Sequence, residues 1–191
     1  MPPARVALQP NSLYIATQTI LIPDTNTEVN FERGAWHWSF FFTDATGNIT
    51  QLHWNVATVE ENSGEYFVRN SLTDTTVLAR IDPTTVYVSF LRLSGWTNPG
   101  LETLAATLDA LYKEHEGKPP ALLRSMIPLR SCRTWILDAV DIFDRNRWMT
   151  VPVDLEGTVK KESKDATDRY AEMIESWIMD LDQFKPTVKD I

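Results

Sequence analysis

The sequence predicts an α+β fold in which an antiparallel β-sheet from the first half of the chain packs against helices from the second half. Patterns typical of strands occupy residues 1–95 and helical patterns occupy residues 96–191, so most strands precede most helices instead of alternating with them. In addition, 191 residues with 43% hydrophobic content suffice for one core and are few for two. We therefore expect a single domain over residues 1–191.

Short runs in the first half are rich in β-branched and aromatic residues or alternate between apolar and polar residues. These runs are Arg5–Leu8, Ser12–Ile22, Ala35–Thr43, Ile49–Ala57, Glu65–Asn70, Val77–Ile81 and Thr85–Leu93. The segment Ala45-Thr46-Gly47 suits a three-residue hairpin loop in which Gly47 takes a positive φ. Such a loop pairs Ser39 with His53 on the next strand.

Helical patterns take over in the second half. Apolar residues at three- and four-residue spacing predict a helix that begins near Leu101 and ends at Gly117. Ser131 suits the N-cap of a second helix. A last helix carries an apolar stripe from Tyr170 to Phe184 opposite an acidic face. We expect this stripe to pack on the domain or on a partner chain, with a homodimer through this helix as one form of the second case.

Charge and cysteine content narrow the function classes. The net charge is −8, the sequence pI is about 4.9, and lysine and arginine form no cluster, so nucleic acid and anionic membranes are poor partners. The N-terminus lacks the pattern of a secretory signal and no stretch reaches membrane-spanning length, so we expect a cytoplasmic protein without integral membrane association. The single cysteine, Cys132, fits a reducing compartment.

Two histidines are predicted to meet on one face of the sheet. In the strand that contains Trp36 and Trp38, alternation places His37 on the face opposite the tryptophans. The hairpin register makes His37 and His53 diagonal neighbours, with Cα atoms roughly 7 to 8 Å apart. A bulge that shifted the register by one residue would separate them.

Cys132 follows the expected N-cap at the start of the second helix. Free main-chain amides and the positive end of the helix dipole stabilise a thiolate there, and Arg130 and Arg133 add positive charge. The same amides suit the oxyanion of a tetrahedral intermediate. The position therefore predicts a reactive thiol, whereas a lone cysteine elsewhere is more often a small core residue.

These residues carry a resemblance to a known family. The segments His37-Trp38-Ser39-Phe40-Phe41 and Ser131-Cys132-Arg133-Thr134-Trp135, with His53 between them, resemble the permuted papain-like fold of the lecithin retinol acyltransferase group, which includes the H-Ras-like suppressor proteins. The resemblance implies Cys132 as nucleophile, His37 as general base and His53 as the group that orients it. The family usually has Asn-Cys-Glu at the helix start. The segments are also similar to uncharacterised fungal proteins with a His-Trp-Ser strand and a Cys-Arg-x-Trp helix.

The sequence thus suggests a thiol-dependent hydrolase or acyltransferase that acts on a small ester, thioester or amide, with Trp38, Trp54 and Arg133 in contact with the substrate. No cofactor is expected, because no glycine-rich phosphate loop is present. No metal is expected either, because the histidines and the cysteine lack the usual ligand spacing. The alternatives are a non-covalent small-molecule binding or cyclising protein with an aromatic-lined pocket, and a partner-binding module that uses the last helix.

Overall fold

The computed structural model describes most of the chain and confirms the α+β class. The described residues are 4–23, 29–31, 36–56, 65–72, 75–80, 85–113, 131–175 and 181–191. The strands are β1 Arg5–Ala7, β2 Leu13–Pro23, β3 Val29–Phe31, β4 His37–Thr43, β5 Ile49–Val56, β6 Glu65–Leu72, β7 Thr76–Leu78, β8 Thr85–Arg92 and β9 Thr187–Asp190. The helices are α1 Leu101–Leu111, α2 Cys132–Arg145 and α3 Leu155–Glu175, followed by a short 3-10 helix, Leu181–Gln183.

The strands form one large sheet and one small one. The large sheet has the order β6-β5-β4-β2-β8-β9, with β3 paired to β2, and the small sheet pairs β1 with β7. All pairs are antiparallel except β8 with β9, which is parallel. Strand β9 comes from the end of the chain, so the sheet is not built from the first half alone. Its short, polar sequence carries no strand pattern, and only pairing with β8 reveals it.

The hairpin between β4 and β5 has the predicted register. Phe40 pairs with Leu52 and Thr43 with Ile49, which is the alignment that sets Ser39 opposite His53 when it is extended. The loop is closed by Asp44, whose Oδ1 accepts hydrogen bonds from the main-chain N–H groups of Thr46 and Asn48, at 2.8 and 2.9 Å. Gly47 takes a φ of 88°, as the loop type requires. Because this turn is specified locally, the register of the whole hairpin follows.

The two faces of the large sheet carry separate cores. On the face that we call the helix face, Trp38, Phe40, Leu52 and Trp54 pack against α1 and α2. The ring centroid of Phe40, for example, lies 5.5 Å from that of Phe143 on α2. On the opposite face, a cluster around Phe41 and Phe90 is covered by β1 and β7. Helix α2 therefore lies across β4 and β5, which places its first residue beside β4.

The last helix differs from its prediction. Helix α3 begins at Leu155 and ends at Glu175. Its buried side includes the polar residues Ser163 and Thr167. Because these residues interrupt the apolar stripe, hydrophobic periodicity does not predict the first half of the helix. Tyr170 and Phe184 are buried against β8 of the same chain. These two residues therefore pack on the domain and not on a partner chain. The predicted helical positions 176–180 and the predicted end of the first helix at Gly117 lie outside the described residues.

Among the described residues, no helix is both long enough and apolar enough to cross a lipid bilayer.

Candidate functional site

His37 and His53 form a hydrogen-bonded pair. Nε2 of His37 and Nδ1 of His53 are 3.1 Å apart, and the two rings are nearly perpendicular, with their centroids 5.2 Å apart. Both side chains are half-buried. Their neighbours Trp38 and Trp54 belong to the helix face, so strand alternation places both imidazoles on the opposite face. The predicted meeting of the two histidines is confirmed.

Burial keeps both imidazoles neutral at neutral pH. It lowers the pKa of His37 below the usual 6.5. The pKa of His53 falls further, to about 4, because burial is joined by repulsion from a charge on His37. Two neutral rings share one hydrogen bond only when one nitrogen donates and the other accepts. The tautomers of the two residues are therefore coupled.

Cys132 is the first residue of α2, and a capping box holds it in place. Ser131 is the N-cap: its Oγ accepts a hydrogen bond from the Thr134 amide at 3.2 Å, and Oγ1 of Thr134 accepts one from the Ser131 amide at 2.7 Å. The predicted N-cap is thus confirmed, with a threonine in the position often taken by glutamate. The box uses the Thr134 amide. The amides of Cys132 and Arg133 are not part of the box, and both favour the thiolate form of Cys132.

The sulfur of Cys132 accepts a hydrogen bond from a main-chain amide of β4 that is not paired with β5. Main-chain amides of a strand point alternately to its two neighbours. Because the Thr43 amide donates to Ser12 beside β2, at 2.9 Å, the amides of Trp38 and Phe40 face β5. The β4–β5 ladder ends at Phe40, however, and the Trp38 amide donates instead to Sγ of Cys132, at 3.3 Å. The thiol in turn points to the carbonyl oxygen of Trp36, 4.0 Å away.

The thiol is not ionised in the resting protein. Burial raises the pKa of Cys132 above its usual 9.0, and this effect outweighs the stabilisation of a thiolate by the amides of Trp38, Arg133 and Cys132 and by the charge of Arg133. This corrects the expectation of a low pKa at the helix start. That expectation counted the helix amides and the neighbouring charges but could not include burial, which depends on the packing of α2 onto the sheet. Arg130 lies outside the described residues.

The three candidate catalytic residues lie near one end of β4, with the sulfur and the imidazole pair on different faces of the strand. The hydrogen-bond partners of Sγ are main-chain groups of Trp36 and Trp38, the residues on either side of His37. The imidazole pair lies on the other face of the same strand. Within the described residues, Sγ makes no hydrogen bond to a ring nitrogen in this conformation, so the sulfur and the rings are neighbours through the strand.

The three residues assigned to substrate contact have different environments. Trp38 and Trp54 are each 1% exposed and pack in the core of the helix face, where the Trp54 ring stacks on that of Trp135 at 6.5 Å. Neither ring offers a surface to a ligand, which corrects the sequence-based assignment of both. Arg133 is different, because its side chain is 43% exposed. Its Nε lies 3.6 Å from a carboxylate oxygen of Glu156 at the start of α3.

Sequence reasoning missed three residues near this site. Trp36 supplies the carbonyl that faces the sulfur, and its indole N–H donates to Thr167 on α3, at 2.9 Å. Gln18 pairs directly with His37 across β2 and β4, and its Oε1 is buried without a hydrogen-bond partner among the described residues. The position of Trp36 could have been predicted, because strand alternation places it on the same face as Trp38. The positions of Gln18 and Thr167 could not, because their proximity depends on pairing and packing between distant segments.

Metal binding finds no support in the described part of the chain. No group of three or more histidine, cysteine, aspartate or glutamate side chains there is arranged to hold a metal ion.

Comparison of the chain with family models, with curated proteins and with solved structures finds no match. The resemblance to the lecithin retinol acyltransferase group therefore stays a prediction. Its chemistry has to follow from groups that this chain itself brings together: one thiol, two neutral imidazoles and the main-chain amides around the sulfur.

Proposed function

We propose that the protein is a thiol-dependent acyl-transfer enzyme, a hydrolase or an acyltransferase, that acts on a small ester, thioester or amide. One observation carries the proposal. The sulfur of Cys132 contacts the main chain on both sides of His37, and the ring of His37 is hydrogen-bonded to His53. A thiol, a base beside it and a third group that orients the base are the parts that nucleophilic acyl transfer needs.

The histidine pair supports a division of roles. His37 uses Nε2 in its bond to His53. When that nitrogen donates its hydrogen to Nδ1 of His53, Nδ1 of His37 carries a free lone pair. This atom is the general base of the proposal. In this conformation the sulfur and the ring of His37 are on different faces of β4, so the proposal requires the end of β4 and both side chains to rearrange when substrate binds, as catalytic hydrogen bonds often form only in the substrate complex.

The acylation step follows from these roles. His37 takes the thiol proton as the sulfur attacks the substrate carbonyl, a C–S bond forms, and the carbonyl oxygen becomes an oxyanion. The amides of Trp38, Cys132 and Arg133, which favour the thiolate form of Cys132, are the donors that the proposal assigns to this oxyanion. The intermediate then expels its alcohol, thiol or amine, which leaves with the proton held by His37. An acyl thioester of Cys132 remains.

Deacylation repeats the sequence with a second nucleophile. Water attacks the thioester carbonyl in a hydrolase, and an alcohol, amine or thiol attacks it in an acyltransferase. In either case His37 removes the proton of the incoming group and returns it to the departing sulfur. The raised pKa of Cys132 suits this cycle, because a neutral thiol and a neutral imidazole are its starting state.

A second candidate, non-covalent binding of a small molecule, is favoured by the same burial of the thiol. A protonated, half-buried sulfur whose contacts are main-chain groups is also what a structural cysteine would show. On this view the half-buried polar side chains near His37 would hold the ligand without a covalent step. The two candidates differ in whether the sulfur becomes acylated.

The test uses p-nitrophenyl acetate as the acyl donor. We expect intact-protein mass spectrometry to show one acetyl group, peptide mapping to place it on Cys132, and p-nitrophenolate release to continue beyond one equivalent. Cys132→Ala should abolish both signals, and His37→Gln should slow acetylation by about 10²- to 10⁴-fold, the usual contribution of a general base. His115→Gln, which removes the remaining histidine, is the matched control and should keep the rate. Equal rates in the wild type and Cys132→Ala would reject the mechanism in favour of binding.

A further inference from the structure

A buried hydroxyl on α3 is connected to the candidate nucleophile through one tryptophan. Oγ1 of Thr167 accepts the indole N–H of Trp36 at 2.9 Å and donates its own hydrogen to the carbonyl oxygen of Ser163 at 2.8 Å. Thr167 is only 4% exposed. Because both its donor and an acceptor site are in use, the hydroxyl has a defined orientation and holds the indole in one place.

Thr167 is itself anchored to the centre of the sheet. One turn earlier on α3, Oγ of Ser163 lies 2.8 Å from Oγ1 of Thr17 on β2, which in turn lies 2.7 Å from Oγ of Ser89 on β8. None of these three side chains is exposed to solvent. Hydrogen bonds in such an enclosed cluster are costly to break, since each broken bond leaves a buried polar group unpaired. The cluster therefore gives α3 a fixed position against β2 and β8.

The other end of the connection is the sulfur. The main-chain carbonyl of Trp36 faces Sγ of Cys132, and the amide of Trp38 donates to it. Trp36 lies one residue before β4 and beyond the end of the β4–β5 ladder, so this ladder does not hold its carbonyl. Its indole is held by Thr167, which makes the side chain the anchor of this stretch of main chain.

We propose that Thr167 is a positioning residue that orients the thiol of Cys132 through Trp36. The anchored indole fixes the direction of the Trp36 carbonyl and keeps the sulfur seated at the Trp38 amide. Loss of the anchor releases Trp36, so the sulfur becomes more accessible and less well placed beside His37. The catalytic consequence depends on the proposed acyl-transfer function, whereas the seating of the thiol can be measured without it.

The test compares two reagents on the same thiol. Iodoacetamide reports the accessibility and ionisation of Cys132, and p-nitrophenyl acetate reports the proposed acylation. In Thr167→Val, which keeps the shape and removes the hydroxyl, we expect alkylation of Cys132 at pH 8 to become faster by about tenfold, the effect of about 1.4 kcal/mol in the free energy of local opening. Acetylation by the ester should become slower. Opposite changes in the two rates are not expected from a general loss of stability.

Two further variants complete the comparison. Thr167→Ser retains the hydroxyl and the hydrogen bond to Trp36. Both rates should therefore return to within about twofold of the wild type, which is well below the change expected for Thr167→Val. Val77→Ala removes buried volume from the cluster around Phe41 and Phe90, to which neither Trp36 nor Cys132 belongs, and should leave both rates unchanged despite lower stability. If Thr167→Val does not fold, Trp36→Phe removes the same hydrogen bond while keeping an aromatic ring and is expected to give the same pair of changes.

The outcomes separate the two proposals. Unchanged alkylation in Thr167→Val and in Trp36→Phe, or equal changes in Thr167→Ser and Thr167→Val, would overturn the positioning role. Faster alkylation in Thr167→Val, restored by Thr167→Ser, supports that role even if the wild type shows no acetylation at all. In that last case the acyl-transfer function alone is rejected.

Discussion

Nε2 of His37 donates to, or accepts from, Nδ1 of His53 across 3.1 Å, and both rings are neutral because burial lowers their pKa values. The proton on one ring therefore determines the tautomer of the other. This relationship joins two adjacent strands at the point where their main-chain ladder has ended. It also makes the protonation of the pair a property that experiments can follow.

The stability of the protein should fall in mildly acidic solution because of His53. Its pKa is about 4 in the folded protein and 6.5 for an unperturbed histidine, so between these values the unfolded chain binds a proton that the folded chain does not. The free energy of unfolding should thus decrease as the pH falls from about 6.5 to about 4, and this contribution should level off below. Urea denaturation across this range measures the slope, and the ¹³C shift of the His53 ring measures the pKa directly.

His53→Gln should reduce that slope to the contribution of His37, whose pKa burial also lowers, whereas His115→Gln should retain it. The Asp44 carboxylate, whose pKa is lowered to about 2 by hydrogen bonds from Thr46 and Asn48, titrates below this window and does not confuse the result. A slope of equal size in His53→Gln and the wild type would show that the burial of His53 is not its cause.

Alkylation of Cys132 should be slow at neutral pH. Its pKa is raised above 9.0 by burial, so the thiolate is scarce at pH 7. We expect iodoacetamide to modify the native protein more slowly than the same thiol in guanidinium chloride, because burial keeps the thiol protonated and limits access to it. The rate should rise with pH to beyond pH 9. Rapid modification with a midpoint below pH 8 would instead support the thiolate that the helix start alone suggests.

The capping box of α2 should make a measurable contribution to stability. Ser131→Ala removes the acceptor of the Thr134 amide and should lower the free energy of unfolding by about 1 kcal/mol. Ser131→Asp keeps an acceptor at the N-cap and should cost less. Thr103→Ala, an exposed position on α1, is the control and should stay within about 0.5 kcal/mol of the wild type. Equal losses in Ser131→Ala and Ser131→Asp would mean that the hydroxyl acts in some other way than as a cap.

Gln18 and Gln51 should respond differently to the same substitution. Oε1 of Gln18 is buried without a partner among the described residues, whereas Nε2 of Gln51 donates to the hydroxyl of Tyr87 at 3.1 Å. Removal of an unsatisfied polar group is neutral or stabilising, so Gln18→Met should change the free energy of unfolding by between zero and about 1 kcal/mol in the stabilising direction. Gln51→Met should cost about 1 kcal/mol. Chemical denaturation measures both, and a larger loss in Gln18→Met than in Gln51→Met would contradict the assignment.

The hairpin that carries the histidines was predictable because its determinants are local. Strand alternation assigns His37 and Trp38 to different faces, and the chemistry of the loop at Gly47 sets the register that brings His53 beside His37. The N-cap at Ser131 is local in the same sense. Each of these features depends on residues a few positions apart, so composition and spacing contain the necessary information.

Other features depend on contacts between distant segments. Strand β9 has no sequence signal, because it is defined by parallel pairing of Thr187 with Ser89 and its neighbours. Helix α3 was recognised only in part, because Ser163 and Thr167 are polar residues whose burial is compensated by hydrogen bonds to β2 and to Trp36. A periodicity search counts such residues as exposed. The prediction of α3 is therefore incomplete at the positions where buried polar side chains have hydrogen-bond partners.

By itself, the sequence determined the α+β class, the register of the β4–β5 hairpin and the place of Cys132 at a helix start. These are consequences of side-chain alternation, turn chemistry and helix capping, which act over short stretches of chain. Only the tertiary structure decided that the thiol is protonated, that Trp38 and Trp54 are core residues and that Trp36 lies between Thr167 and the sulfur. Burial and packing set all three, and both result from the placement of α2 and α3 against strands far away in the sequence.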